Sequence, residues 1–486
     1  MADTDIFDFE DIKLEKAEQL KKRAELFDSL ESRLGSNALN ALKEHYALYD
    51  DRYYLWIANL YDPGEYDADG NSLGGGFYFS NSARDNAEFG IDIESTMQIL
   101  HFIRSERSGF LSGSNRGIKD ALPDKMKTEL VSFARSLQSS KDGYFYHPQW
   151  ESIGTSRKGR DLRWATQLFN LFEEKPLWDT PSGLSGLNGA PGESVCESSD
   201  GAVSEKRISN RTWRGSEQLQ TLESWEQYLR ENMDKAKNQS WTVGNLLSAQ
   251  YMEILERERV GISRGEFLCR DGSGIADDGV VRMTERIINS YQKPNGMWQD
   301  SPLGTPTFYG VNGIMKFSEL YTNLGLKLNY PMEALRAAIE IATLEGADAD
   351  EKEHRCTPDV FNPLVALRNR MHNMRKFGDA RLVDSLEAEL LQNAENLIRV
   401  STSKLKKYKK DDGSIGYAEG GTSGTSQNAP VAIRGTVEGD VNGADIATGV
   451  TSHLCLALGL PILPMFTPAD FKIFLNVIAS RVHSAK

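Results

Sequence analysis

Positive charge is what this chain most lacks. Asp and Glu number 70 against 56 Lys and Arg, a formal charge of −14. Phosphate backbones are bound through clustered Lys and Arg, so nucleic acid is not an expected partner. Cysteine is scarce, and Cys196, Cys269, Cys356 and Cys455 stand far apart. With no C-x-x-C pair and no His at metal-ligand spacing, neither a disulfide scaffold nor a zinc site is expected. Long apolar runs are missing too: no stretch approaches the ~20 apolar residues of a membrane helix. The opening "MADTDIFDFEDIKLEKAEQLKKR" is acidic and amphipathic, without the basic-then-apolar order of a secretory signal. The expectation is therefore a cytoplasmic protein with no membrane partner, in which the sequons at Asn210 and Asn238 carry nothing. Continuous strand-like alternation is also nearly absent, which points to an all-α fold.

What is present is a repeat. The chain has 486 residues, 39% of them hydrophobic, enough for one large core or two ordinary ones. Along it one order of events recurs: an amphipathic helix, a turn built on Asp/Asn-Gly and an aromatic, a glycine-bearing polar loop, and an acidic or small-residue cap opening another helix. "SFARSLQSSKDGYFYHPQW" followed by "RKGRDLRWATQLFNLF" has it, as does "RIINSYQKPNGMWQDSPLGTPTFYGVNGIMKFSELYTNLG". A third copy runs from "ENLIRVSTSKLKKYKKDDGSIGYAEGG" to "GDVNGADIATGVTSHLCLALG", a looser one covers "ANLYDPGEYDADGNSLGGGFYFSNSARDNAEFGIDIESTMQILHFIR", and a fifth helix pair without the aromatic turn fits Met332 to Phe377. Ile93, Met97 and Leu100 show the helical spacing, as do Ile314, Phe317 and Leu320. Five or six helix pairs would bury one continuous core by closing into a ring. The predicted fold is thus an (α/α)n toroid, an (α/α)6 barrel at six pairs, with long aromatic and Gly-rich loops on one face. An N-terminal helical arm (1–45) precedes the toroid (46–486), and a flexible Gly/Ser-rich insertion interrupts it at about 175–215. Ser216 is a plausible cap where helical patterning resumes. The basic run Lys404 to Lys410 reads as a solvated helix end.

The turns "LQSSKDGYF" and "YQKPNGMWQ" resemble the Gln-x-x-x-Asp/Asn-Gly-x-aromatic repeat of terpenoid-cyclase and prenyltransferase toroids. The helix-hairpin loops also look like those of single-domain α/α-barrel glycoside hydrolases and polysaccharide lyases. The chain departs from a cyclase in lacking an Asp-x-Asp-Asp or Asp-Asp-x-x-Asp set; the nearest match, "DADE" (Asp348 to Glu351), sits in an acidic loop. Its loops carry Asn, Gln, His, Arg, Asp and aromatics instead, a mixture suited to hydroxylated rings, because aromatic faces stack on sugars and planar polar groups bond hydroxyls.

An oligo- or polysaccharide is therefore the expected partner, and cleavage of its glycosidic bonds the expected reaction, with no cofactor and no metal required. Hydrolysis needs two carboxyl groups across the bond, and Asp92, Glu94, Asp440 and Asp445 at helix starts are the candidates; Asp277 and Asp278 stand in an equivalent place. Each also suits a plain N-cap role. A uronide lyase would need a Tyr or His base with an Arg, for which Tyr146 and His147 are candidates. A non-catalytic sugar-binding toroid and a terpenoid-cyclase-like enzyme are the remaining alternatives. Substrate-binding candidates from the loops are Phe77, Tyr78, Arg84, Asp85, Tyr144, Trp150, Arg157, Arg160 and Asp161. Trp298, Tyr309, Asn312, Tyr417 and Arg434 complete the set.

Overall fold

The computed structural model describes residues 6–110, 117–192, 215–345 and 356–484. Cys196, Asn210, the Asp348 to Glu351 run and the middle of the Gly/Ser-rich insertion lie outside them. The described chain is mostly helical, with strand limited to two short antiparallel pairs, Tyr61–Asp62 with Gly76–Phe77 and Thr425–Ser426 with Ala429–Pro430. Among the described residues no helix is long and apolar enough to cross a membrane. The chain divides into two compact units: Met1–Ser136, His147–Glu151 and Ala338–Lys486 form the first, Leu137–Tyr146 and Ser152–Ala337 the second.

In the first unit the helices Ile93–Arg104, Pro358–Phe377 and Val441–Ala457 pack together. The 93–104 and 441–457 helices run parallel, because Gln98 meets Asn442 and, three residues on in both, His101 meets Asp445. Around them, Phe9–Asp28 and Arg52–Asn59 pack on Pro468–Ser484, and Glu31–Tyr46 on Ala394–Tyr408. The N-terminal helices are therefore part of this unit's packing. Lys404, in the basic run, is buried, and Lys409 bonds Asp50 at 2.9 Å.

In the second unit Thr155–Phe172, the later half of Leu222–Ala249 and Phe308–Leu324 are parallel. Asn245 bonds Ser156 at 3.1 Å while Gly159 lies against Ala249, and Gly313 lies against Ser240 while Gly244 lies against Lys316. These glycines let the backbones approach; a Cβ on Gly313 would sit 2.2 Å from the Ser240 hydroxyl. The 222–249 helix begins at Thr221, whose hydroxyl accepts the Ser224 N–H at 3.1 Å in a capping box. The expected cap, Ser216, instead opens a short 3-10 turn, Glu217–Leu219, and its hydroxyl bonds Glu253.

The repeated Asp/Asn-Gly turns share one construction. Gly143, Gly296 and Gly413 each adopt positive φ (74°, 79° and 84°), the conformation that favours glycine. The residue two positions later, Phe145, Trp298 or Ile415, is buried as a plug. In the first copy the buried Gln138 carboxamide fastens the turn, donating to Gly143 O (3.1 Å) and Trp178 O (2.8 Å) and accepting from Trp178 N (2.9 Å). Gln292 does the same to Gly296 O at 3.0 Å. Replacing Gln138 with Ala strips partners from buried backbone groups at about 1–3 kcal/mol each. A Gln138→Ala variant is expected to unfold at lower urea than wild type by an amount equivalent to at least ~1 kcal/mol; an unchanged midpoint would rule this fastening out.

Candidate functional site

Loops far apart in sequence meet at the N-terminal ends of the 93–104 and 441–457 helices in the first unit. The segment 77–80 ties them: Asp92 N–H donates to Phe77 O at 3.4 Å, Val441 N–H to Phe79 O at 2.9 Å, and Ser80 bridges Asp440. His147 and Trp150 join this end. His147 Nε2 lies 2.8 Å from Ile91 O, its ring 4.9 Å from Trp150, and the Trp150 indole N–H donates to Pro430 O at 2.9 Å. Trp150 and Tyr78 pack on a small core of Phe79, Ala83, Val431 and Ala432. Tyr417 arrives through its backbone N–H, given to Asp440 at 2.7 Å.

Several side chains at this end are occupied with structure. Asp92 caps its helix, accepting from Glu94 N (3.0 Å) and Ser95 N (3.2 Å). Asp440 caps the other, with one oxygen on Gly443 N and the second on Tyr417 N, both at 2.7 Å. Burial pushes the Asp440 pKa up to about 7, against the pull of those N–H groups. Phe77 is core, Tyr78 donates its hydroxyl to Asp62 at 2.8 Å, Arg84 pairs with its exposed neighbour Asp85, and Arg434 is exposed.

The second unit holds the other candidates. Tyr144 is buried with the Lys158 ammonium 3.7 Å from its ring centre, and Tyr146 donates to Asp142 at 2.7 Å. Arg157 and Asp161 form a buried ion pair at 2.9 Å. Trp298 is fully buried, its N–H on Ile288 O at 2.9 Å and its ring 4.4 Å from Phe317, so it offers no face to a ligand. Tyr309 is 45% exposed, whereas Asn312 is fully buried. Asp278 accepts from Leu268 N at 2.9 Å, and Asp277 lies 3.5 Å from Arg270.

From the first turn inward, two helices of the first unit bring further polar groups together. Glu94, Gln98 and His101 form a polar stripe (i, i+4, i+7) on the 93–104 helix, turned to Asn442 and Asp445 on its neighbour. Gln98 Nε2 donates to Asn442 Oδ1 at 3.0 Å, and His101 Nδ1 lies 3.7 Å from Asp445 Oδ1. The His101 side chain keeps 41% of its surface accessible although its helix is otherwise nearly all buried. Arg107, almost completely buried, holds Asp445 through its guanidinium and donates to Asp445 O at 3.1 Å. Burial alone would raise the Asp445 pKa; the Arg107 and His101 charges outweigh it and hold the carboxyl at about 2. Deeper in, His453 packs edge-on to Phe361 at 4.9 Å. Burial, aided by the Arg368 and Arg107 charges, lowers its pKa to about 3, keeping it neutral at pH 7.

His101, Gln98, Arg107, Asn442 and His453 were not singled out from sequence. The signal in the sequence was a polar stripe at i, i+4, i+7, Glu94, Gln98 and His101, about 100° round the helix from Ile93, Met97 and Leu100. Among the described residues no group of three His, Cys, Asp or Glu is placed to hold a metal ion. Compared with known proteins, the chain matches no family model, no curated protein and no solved structure.

The Arg107–Asp445 pair makes a definite forecast. Removing one partner of a buried pair strands the other charge, at about 3–5 kcal/mol. Arg107→Met is expected to cost about that much in urea unfolding at pH 7. Because the Asp445 pKa is depressed below 3.8 to about 2, the stability it contributes is full above pH ~4 and lost as pH falls through 2. The penalty of Arg107→Met should therefore shrink over that range; a penalty constant from pH 7 to 2 would remove this account.

Proposed function

We propose that the chain is a carbohydrate-active enzyme that cleaves glycosidic bonds by hydrolysis, with Glu94 and Asp445 as the two carboxyl groups. The observation that carries this reading is the facing pair of polar stripes on two parallel helices, with an accessible His101 between protein and solvent. Asp445, kept ionised by Arg107, acts as the base that activates water. Glu94, in the first helical turn, is the proton donor to the leaving oxygen, and His101, Gln98 and Asn442 position the sugar hydroxyls. The Gln98–Asn442 and His101–Asp445 contacts set the spacing. His101 is level with Asp445, and Glu94 lies seven residues earlier, about 10 Å along the axis at ~1.5 Å per residue. That offset is well above the ~5 Å carboxyl separation of retaining enzymes, so single displacement with inversion is the course we propose.

An α/α toroid is the architecture we infer; two parallel helices in the first unit and three in the second, with loops gathered at helix starts in the first, support it. A uronide lyase is the second reading, favoured by one observation: an accessible imidazole beside a carboxylate, with Arg107 adjacent, is also a proton-abstracting arrangement.

A panel of oligosaccharides, assayed for reducing ends and for unsaturated product in the same wells, separates these readings. Hydrolysis predicts new reducing ends without ultraviolet absorbance, and product of inverted configuration by proton NMR. Glu94→Gln and Asp445→Asn should each lower kcat by at least about 10²-fold, the usual contribution of a general acid or base, while circular dichroism stays unchanged. Absorbance from a double bond, abolished by His101→Ala, would establish the lyase instead. Full turnover in both carboxyl variants would end the hydrolase assignment.

A further inference from the structure

The line of accessible groups at His101 and Asp445 continues along the 441–457 helix. Arg107, whose guanidinium holds Asp445, also lies against Gly449, where a Cβ would sit 2.8 Å from Arg107 Nη1 and 2.6 Å from Phe361 Cε2. Phe361, on the 358–377 helix, stands edge-on to His453 with ring centres 4.9 Å apart. Further along that helix, Arg375 reaches Leu456 O at 3.4 Å. Arg368 falls midway between Phe361 and Arg375 on the same side of the helix, and so stands level with the turn from His453 to Leu456. Asp445, Phe361, His453 and Arg368 are each partly accessible, although most residues of both helices are buried. From Asp445 to His453 the line runs about 12 Å at ~1.5 Å per residue, a reach suited to a short oligosaccharide.

Two features of this line point to a ligand. Arg368 pairs with no carboxylate among the described residues; its guanidinium gives one hydrogen bond, from Nη1 to the carboxamide of its neighbour Asn369 at 2.7 Å. Its other nitrogens are not shut away from solvent, so the rest of the fork is open to an incoming anion. Burial lowers the Arg368 pKa with no acidic neighbour to oppose it, and an anion would offset that loss of hydration. His453 also lacks a hydrogen-bond partner among the described residues. Its Nδ1 is buried and unmatched, which leaves Nε2 as the nitrogen that can meet a visiting molecule. Neutral at pH 7, the ring can bond a hydroxyl without adding charge.

We propose that Arg368 and His453 form a subsite that selects an oligosaccharide carrying an acidic ring. The Arg368 fork holds a carboxylate or sulfate ester, His453 Nε2 bonds a hydroxyl of the same ring, and Phe361 gives apolar contact to the chain between that ring and Asp445. A planar guanidinium suits either anion. The sugar component rests on the carbohydrate reading above; the anion component does not.

The test reads direct binding to the full chain, by saturation-transfer NMR and thermal shift, with glucose, glucuronate, glucose 6-sulfate and inorganic sulfate as probes. Glucuronate, glucose 6-sulfate or both should bind at least about tenfold tighter than glucose, the worth of one charge-assisted hydrogen bond, and which of them does so names the anion. Arg368→Gln should remove that preference while glucose binding and circular dichroism stay as in wild type. Arg368→Lys, which keeps the charge without the fork, should restore part of it. A merely structural Arg368 would instead weaken all the sugars together in Arg368→Gln, and that result would overturn the subsite. So would a preference surviving in Arg368→Gln, or equal binding of charged and neutral sugars by wild type. Sulfate bound with no sugar bound at all would overturn the carbohydrate reading along with the sugar component. Because no turnover is measured, these outcomes stand apart from success or failure of the hydrolase assignment.

Discussion

The first turn of a helix exposes backbone N–H groups with no partner inside the helix, and the arrangement of the first unit follows from how two such ends are satisfied. Asp92 and Asp440 accept these N–H groups, while the 77–80 segment accepts the backbone N–H of Asp92 and of Val441, so one short piece of chain fixes both helix starts. With the starts level and the helices parallel, register is no longer free. Gln98 must face Asn442, and His101 must face Asp445. Two of the four carboxylates offered by the sequence as candidates, Asp92 and Asp440, thus act as helix caps that align the groups following them.

Much of the architecture was legible because its devices are local. A Gly with positive φ after Asp or Asn, with a large apolar residue two positions on, is a turn that propensity alone recognises, and it recurs at Gly143, Gly296 and Gly413. The helical patterning at Ile93, Met97 and Leu100 and at Ile314, Phe317 and Leu320 corresponds to buried helix faces. What a local pattern does not reveal is which way a ring points. Phe145 and Trp298 occupy equivalent places in their turns and both plug the core, whereas Tyr309, with no turn motif, is exposed. Likewise Ser216 and Thr221 are both acceptable caps by residue type. Thr221 prevails because Ser224 completes a reciprocal pair, while the Ser216 hydroxyl is taken by Glu253.

The residues to which we assign chemistry were harder to see, for a physical reason. Candidates at loops and helix starts stand out by composition, but a functional stripe inside a buried helix is separated by apolar residues and reads as ordinary amphipathicity. Glu94 stood out as an acidic residue at a helix start, whereas Gln98 and His101, one and two turns further on, had no such marker. In the structure nearly every residue of that helix is buried, so the stripe cannot be serving bulk solvent. The Lys404 to Lys410 run is mixed: Lys406 and Lys407 are exposed as a solvated helix end would have them, whereas Lys404 is buried and Lys409 reaches Asp50.

The Arg107–Asp445 pair bears on whether this stripe is structural or functional. A buried ion pair gains little over apolar residues of equal volume, since desolvating both charges offsets their attraction. Stability alone therefore gives weak reason to keep a guanidinium and a carboxylate inside the packing of three helices. The pair does have one effect that a hydrophobic substitute lacks: it keeps Asp445 ionised in a site whose burial would otherwise favour the protonated form. It does so 3.7 Å from an imidazole that is accessible to a visiting molecule. A carboxylate held charged in a dry setting, next to a group able to exchange protons, is a costly arrangement for packing and a useful one for proton transfer. That asymmetry is why the reaction we propose is assigned to these two helices rather than to their caps.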